Sequence, residues 1–136
     1  MENTKTVVVQ RLQKSLDDEY IIAEKYYSIL SALNDLQLTR REIELIAYTA
    51  VRGTISYANT RAEFCKKYET TTATINNIVS KLKKVGIFVK EAGKIRVNPV
   101  IVVDFRKDLS LVVKLIHNGK NSEETNNQGE ADKEAL

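Results

Sequence analysis

The stretch from Glu69 to Lys90, ETTTATINNIVSKLKKVGIFVK, predicts an amphipathic helix followed by a short apolar segment. Its apolar side chains recur at steps of three and four residues, the spacing of a single helix face: Ile75, Ile78, Val79 and Leu82. Thr71 or Thr72 is expected to cap this helix and Gly86 to end it. The opposite face carries threonine, asparagine, serine and lysine. A helix used only for packing does not need that face, so its contact is with water, protein or nucleic acid.

The residues that follow this helix predict a β-hairpin. The segments IFVKE (87–91) and KIRVN (94–98) flank Ala92 and Gly93, where the glycine can take the positive φ of a tight turn. Pro99 has no N–H to donate and is therefore expected to end the second strand. Basic side chains alternate along that strand, so we expect them to share one face of the hairpin, with Lys90 joining them from the first strand.

Two further helices are predicted upstream from capping boxes, in which a threonine and a glutamate three residues later satisfy free backbone N–H groups. They cover LTRREIELIAYTAVRG (38–53), ended by Gly53, and ANTRAEFCKKY (58–68). The expected boxes are Thr39 with Glu42 and Thr60 with Glu63. The side chains expected to face the core are Ile43, Ile46, Ala47, Ala50, Phe64, Cys65 and Tyr68.

The two ends of the chain give weaker patterns. A helix with an acidic first turn is predicted over 16–35, and its expected buried stripe is Tyr20, Ala23, Tyr27, Leu30 and Leu33. The run KTVVVQRL (5–12) suggests a short strand. Residues 100–117 fit both a helix and a strand, and their β-branched content favours a strand. Residues 118–136 are polar and acidic, and we expect them to be disordered.

Composition limits the classes of protein that this chain can belong to. Its 136 residues are enough for one domain with a core. No apolar run approaches the roughly 18 residues that a membrane helix needs. The N-terminus also lacks the pattern of a signal peptide, so a cytoplasmic location is expected. A single cysteine, Cys65, and a single histidine, His117, cannot build a structural zinc site. No nucleophile motif or phosphate loop is present, so we expect no enzyme, cofactor or metal.

Positive charge is concentrated in the middle of the chain. Residues 52–96 contain ten basic and three acidic side chains, a net charge of +7, whereas the whole chain carries +3. A basic centre of this size is typical of proteins that bind an anionic partner, most often nucleic acid. Charge alone is also compatible with a surface that only meets solvent.

The order of two helices, a short connection, a third polar-faced helix and a basic hairpin resembles the winged helix-turn-helix class. The resemblance covers about residues 39–98 and is strongest over 61–97. TINNIVSKLKKVGIFVKEAGKIRV (74–97) is similar to the recognition helix and wing of multiple-antibiotic-resistance-type regulators. It is also similar to winged-helix plasmid and phage replication initiators, in which a short NP follows the wing as Asn98 and Pro99 do here.

The resemblance implies an α+β, mostly α fold, a winged helix-turn-helix with an N-terminal helical extension and a β-hairpin wing. The implied domains are a strand and helix extension at 1–38, the winged-helix domain at 39–117 and the acidic tail at 118–136. Some positions depart from the class. Glu69 stands where the turn often has glycine, and asparagine occupies 76 and 77, where arginine is frequent. Base preference is therefore not transferred from the class.

The function implied by the resemblance is sequence-specific binding of double-stranded DNA, as a small transcriptional regulator or replication accessory protein. A recognition helix at about 71–85 would enter the major groove, and a wing at 87–98 would lie on the backbone. Asparagine can bond the adenine edge, and lysine attracts phosphate. The expected DNA-contacting residues are Thr72, Thr74, Asn76, Asn77, Ser80, Lys81, Lys84, Lys90, Lys94 and Arg96. Arg61 is expected to contact phosphate or to pair with an acidic side chain.

Two other functions stay open at this point. A winged-helix domain can instead mediate protein contacts within a larger assembly, such as a phage particle or polymerase complex. RNA binding ranks last, because the basic region lacks the aromatic side chains on which single-stranded bases stack. The N-terminal helices are expected to serve as a homodimer or protein-partner interface, and the tyrosines there are expected to pack in the core or in a dimer.

Overall fold

Four α-helices and one antiparallel hairpin form the described part of the chain, residues 6–10 and 18–117 of a computed structural model. In chain order they are α1 (Glu19–Leu33), α2 (Arg40–Arg52), α3 (Ala58–Tyr68), α4 (Thr72–Lys84), β1 (Phe88–Glu91) and β2 (Lys94–Val97). A 3₁₀ turn at Pro99–Ile101 follows. The expected α+β, mostly α class is confirmed at this level.

Helix α4 packs on the core along the stripe predicted from its sequence. Its four stripe side chains are all buried: Ile75, Ile78, Val79 and Leu82. Thr71 is the N-cap, and its side chain accepts a hydrogen bond from the Thr74 N–H. Val85 forms the C-cap, and Gly86 leaves the helix with a φ of +82°. The polar half of α4 is thereby turned away from the core.

Helix α2 begins at the predicted capping box, whereas the box predicted for α3 does not form. Thr39 accepts from the backbone of Glu42, whose carboxylate accepts from the Thr39 N–H. In α3 the N-cap is Tyr57, and Thr60 is already buried inside the helix. The chain turns early because the preceding segment is tied to the hairpin by a bond from Ile55 N–H to a β2 carbonyl.

The hairpin has the turn that its sequence predicted. Ala92 and Gly93 both have positive φ, +52° and +78°, as a two-residue type I′ turn requires. The hairpin is also fixed from the side, because Thr54 and Ser56 bond the backbone of Ile95 in β2 with their hydroxyls, at 2.7 and 2.8 Å. The position of the hairpin therefore depends on the connection between α2 and α3.

Helix α1 belongs to the same core as the helices that follow it. Ala23 and Tyr27 are buried in it, together with Phe105 from the segment after the hairpin. The Tyr27 hydroxyl donates to the Ile101 carbonyl at 2.7 Å, which holds that segment against α1. The core thus includes part of the predicted extension, residues 1–38. The expected burial of Leu33 is wrong, because the last turn of α1 projects beyond the core.

Both strands predicted near the chain ends are absent from the described residues. Residues 6–10 and 102–117 contain no strand, and apart from Phe105 their side chains are at most half-buried. High β-propensity does not make a strand without a neighbour to complete the hydrogen-bond ladder. The remainder of the predicted N-terminal strand and the whole acidic tail, 118–136, lie outside the described residues.

Replacing Tyr27 by phenylalanine should lower the free energy of unfolding by about 1 kcal/mol at neutral pH, because the bond to Ile101 is lost. Burial, followed by the nearby Tyr26, raises the pKa of Tyr27 above its ordinary 10.0. The unfolded chain therefore ionises first as the pH rises. Above pH 10.0, the excess unfolding free energy of wild type over Tyr27→Phe should fall by about 1.4 kcal/mol per pH unit.

Urea unfolding of wild type and Tyr27→Phe at about pH 8 and pH 11 measures this difference. Tyr57→Phe is the matched control, since Tyr57 is exposed and its hydroxyl makes no hydrogen bond with the described residues. A difference between wild type and Tyr27→Phe that does not change with pH would contradict the buried, protonated state of Tyr27.

Candidate nucleic-acid interface

The polar face of α4 forms an exposed strip along the molecule. Four exposed side chains on this face make no hydrogen bond or ion pair with any described residue: Thr72, Asn77, Ser80 and Lys84. Thr74 is half-buried, and its hydroxyl lies 3.2 Å from that of the cap residue, Thr71. Donors and acceptors with no protein partner are available to a ligand without first breaking an internal bond.

The short connection between α3 and α4 fixes the direction of this strip. Glu69 adopts the left-handed conformation, with φ and ψ of 54° and 58°. Its N–H and that of Thr70 both point to the Cys65 carbonyl, which closes the end of α3. Glycine takes this conformation more easily than glutamate, so the turn is kept here at a small cost in strain.

Asn76 lies on the same strip but is engaged by α3. The Arg61 guanidinium donates from Nη1 to Asn76 Oδ1 at 2.6 Å and from Nε to the Ile55 carbonyl at 2.8 Å. Of the two expectations for Arg61, phosphate contact or pairing with an acid, the second is not met among the described residues. Its side-chain partner there is a carboxamide, which does not neutralise the arginine charge.

Lys81 is tied to the start of α2. Its ammonium group donates to Glu42 Oε2 at 2.7 Å, while the Glu42 side chain is only 6% exposed. Burial opposes ionisation of Glu42, but the hydrogen bonds from Lys81 and Thr39 outweigh it, so the pKa of Glu42 lies below its usual value. Much of the positive charge of Lys81 is therefore matched inside the protein.

The hairpin presents fewer free cations than the sequence predicted. Arg96 donates to Glu91 at 2.6 Å across the hairpin. The ammonium of Lys94 lies 5.0 Å from the centroid of the Tyr57 ring, a cation–π contact that leaves its charge unneutralised. Lys90 is paired with Ile95 in the strand register and so projects from the face opposite Lys94 and Arg96. The expectation that Lys90 shares their face is wrong.

Residues that sequence reasoning missed at this surface are those that restrain its basic side chains: Glu42, Tyr57 and Glu91. The sequence does indicate Glu42, since the glutamate of a capping box can also pair with a lysine or arginine. Glu91 faces Lys94 directly across the turn, and the predicted hairpin implies their proximity. No local pattern identifies Tyr57 as the neighbour of Lys94, because that contact depends on how α3 meets the hairpin.

The strip and the hairpin together offer hydrogen-bonding groups flanked by mobile ammonium groups. Lys83 and Lys84 at the end of α4 are exposed, and their positive charges interact favourably with the negative end of the helix dipole.

Across residues 6–10 and 18–117, no three histidine, cysteine, aspartate or glutamate side chains are grouped to hold a metal ion. None of the described helices is long and apolar enough to cross a membrane. Comparison with protein-family models, curated proteins and solved structures gives no significant match.

Replacing Lys81 by methionine should lower the free energy of unfolding by about 1 kcal/mol at pH 7, because a nearly buried carboxylate loses its cation. The depressed pKa of Glu42 means that this contribution exists above the unfolded value, 4.5, and is lost as the pH falls. The difference from wild type should therefore shrink as the pH falls below 4.5, which urea unfolding at pH 7 and at about pH 3 will measure.

Lys84→Met provides the matched control on the same helix, since Lys84 has no partner among the described residues. It should leave stability unchanged at both pH values. Equal destabilisation by the two substitutions would show that the Lys81–Glu42 contact is not the source of the effect.

Proposed function

We propose that this chain is a winged helix-turn-helix protein that binds double-stranded DNA sequence-specifically, as a small transcriptional regulator or replication accessory protein. Helix α4 enters the major groove as the recognition helix, and the β1–β2 hairpin lies on the flanking backbone as the wing. The order and packing of α2, α3, α4 and the hairpin support this fold assignment. This order and packing of elements is compatible with a winged helix-turn-helix, but it does not identify a related protein.

The observation that carries the proposal is the division of α4 into two faces with different environments. One face is buried along its whole length, and the other is exposed over three helical turns from Thr72 to Lys84. A helix held in this way at the surface can enter a groove about 12 Å wide without rearrangement of the core. Its exposed side chains are those that bond base edges and phosphates.

Asn77 is the side chain best suited to direct base recognition. It lies at the middle of the exposed strip and has no partner among the described residues. Its carboxamide can therefore offer a donor and an acceptor together, which matches N6 and N7 of adenine. Ser80 lies about one helical turn after Asn77, and Thr72 is the first residue of α4; both are proposed to contact a base or a phosphate.

Phosphate attraction is assigned mainly to Lys84, Lys94 and Lys90. Lys84 follows the base-recognising part of α4, and Lys94 lies on the wing beside α3. Lys81 and Arg96 already have carboxylate partners, so they contribute to DNA binding only by exchanging that partner for phosphate. Exposed lysines attract phosphate without distinguishing sequences, and the sequence preference is assigned to α4.

The competing function is a protein contact within a larger assembly. Exposed apolar side chains in the segment after the wing favour it, because Val112 and Leu115 are 81% and 93% exposed. Such a contact would be less sensitive to salt than binding to DNA phosphates. Salt dependence therefore separates the two functions.

The purified protein should bind random duplex DNA with an affinity that falls steeply as salt is raised, because phosphate contact releases counterions. In the Lys84→Met/Lys94→Met variant, the slope of log affinity against log salt should decrease by about two. Lys25→Met/Lys107→Met removes the same charge away from the strip and should leave the slope close to wild type.

Asn77→Ala should mainly relax the preference for a selected sequence, with little loss of affinity for random duplex DNA. Equal loss on every sequence would refute the base-recognising role of Asn77. No binding of the wild-type protein at low salt would refute DNA binding itself and favour a protein partner.

The partner surface that we propose for the N-terminal region is the outer face of α1, used by a second copy of the chain. Ile29 and Leu33 are 42% and 49% exposed there, although other side chains of α1 pack in the core. Sedimentation velocity should give a dimer for wild type and a monomer for Leu33→Glu, because a buried charge without a partner opposes association. A wild-type monomer at the concentrations used for DNA binding would exclude this dimer.

A further inference from the structure

The contact between Arg61 and Asn76 determines which hydrogen-bonding groups Asn76 can offer to DNA. Arginine has only donors, so the atom of the carboxamide that faces Nη1 must be the oxygen. One of the two lone pairs of the Asn76 oxygen is therefore used inside the protein, whereas its NH₂ group makes no hydrogen bond with any described residue. Asn76 is exposed, so that group is accessible.

The position of Arg61 is fixed by a second bond and not only by Asn76. Its Nε donates to the Ile55 carbonyl at 2.8 Å, and the Ile55 N–H is itself bonded to the Ile95 carbonyl of β2. The guanidinium is thus held between the hairpin and α4. Its Nη2 group makes no hydrogen bond with any residue that the structure describes, so the guanidinium keeps a second donor group.

From this geometry we infer that Arg61 and Asn76 act as one unit whose free groups are mainly donors, and that the unit recognises guanine. Guanine offers two acceptors, O6 and N7, in the major groove, whereas adenine offers one acceptor and one donor. An adenine edge would have to share the Asn76 oxygen with Arg61, whereas a guanine edge needs only donors. The inference rests on the proposed function, and it makes Arg61 a specificity-determining residue outside the recognition helix.

The inference also divides the two adjacent asparagines of α4. Asn77 has no partner among the described residues and keeps both its donor and its acceptor, so it remains suited to adenine. Asn76 has the same side chain, but in the folded protein its oxygen already accepts a hydrogen bond from Arg61. The preferred site should therefore contain a guanine close to an adenine, each assigned to a different asparagine.

The test begins with selection of a preferred duplex by the wild-type protein from a randomised pool. Affinity is then measured for all four base pairs at each position, for wild type and for variants at Arg61, Asn76 and Asn77. Asn76→Ala should abolish an approximately tenfold preference for guanine at one position. Asn77→Ala is the matched control and should leave that position unchanged while relaxing another.

Arg61→Met should convert the same position from guanine to adenine, because the freed carboxamide of Asn76 then offers both a donor and an acceptor. Asn76→Asp is the second variant, to be used if Arg61→Met fails to fold. Its carboxylate can still accept from Arg61 and presents a second acceptor oxygen to the DNA. The preference should then shift to cytosine, whose N4 donates.

A wild-type preference for adenine that maps to Asn76 would overturn the inference and leave the proposed function intact. So would unchanged base preferences in both Asn76→Ala and Asn76→Asp, since Asn76 would then contact only phosphate or water. Absence of any salt-sensitive binding by wild type would overturn the proposed function as well, which keeps the two failures distinguishable.

Discussion

Burial of the apolar face of α4 is the interaction on which the remaining structure depends. Ile75 and Leu82 lie at opposite ends of that face and are almost completely buried. Each such side chain contributes about 1.5–3 kcal/mol on transfer from water. The helix cannot rotate about its axis without losing this burial. Its polar face is therefore fixed in direction by the same side chains that stabilise the core.

The hairpin and the segment that follows it are fixed by side chains from earlier elements. Thr54 and Ser56 hold β2 with their hydroxyls, and Tyr27 holds the end of the 3₁₀ turn at Ile101. An isolated two-stranded hairpin is only marginally stable in water. These contacts, together with the burial of Phe88 and Val97, explain how four-residue strands keep a defined position next to α4. The candidate wing is therefore a rigid neighbour of the exposed strip.

Formal charge in the sequence overstates the charge that a partner can use. Two of the three arginines of residues 52–96 have carboxylate partners, Arg52 with Glu63 and Arg96 with Glu91. The third, Arg61, keeps its charge but is held in place by the Asn76 carboxamide. The ammonium of Lys67 lies 3.9 Å from the centroid of the Tyr20 ring, a cation–π contact that joins α3 to α1. The cations that stay free of such contacts among the described residues are lysines. Lysine attracts phosphate as a mobile point charge, so affinity and sequence preference are assigned to different residues.

Local patterns were enough to predict most of the helices and the hairpin, because periodicity, caps and turn residues act over a few positions. The Thr39 box, the four-residue stripe of α4 and the Ala92-Gly93 turn were all identified in this way. Predictions failed where a distant contact decides the outcome. Thr60 lost its expected capping role because the hairpin makes the chain enter α3 early, and residues 102–117 did not form a strand without a neighbouring strand.

The same distinction applies to the candidate site. Which face of α4 is exposed follows from its own sequence, but what each exposed side chain can bond depends on residues up to 39 positions away, as the Lys81–Glu42 contact illustrates. Asn76 and Asn77 are equivalent in a one-dimensional pattern. A guanidinium from the preceding helix makes them chemically different, because one acceptor lone pair of Asn76 is already engaged inside the protein. Under the proposed function, the base preference of α4 would therefore depend in part on a residue of α3.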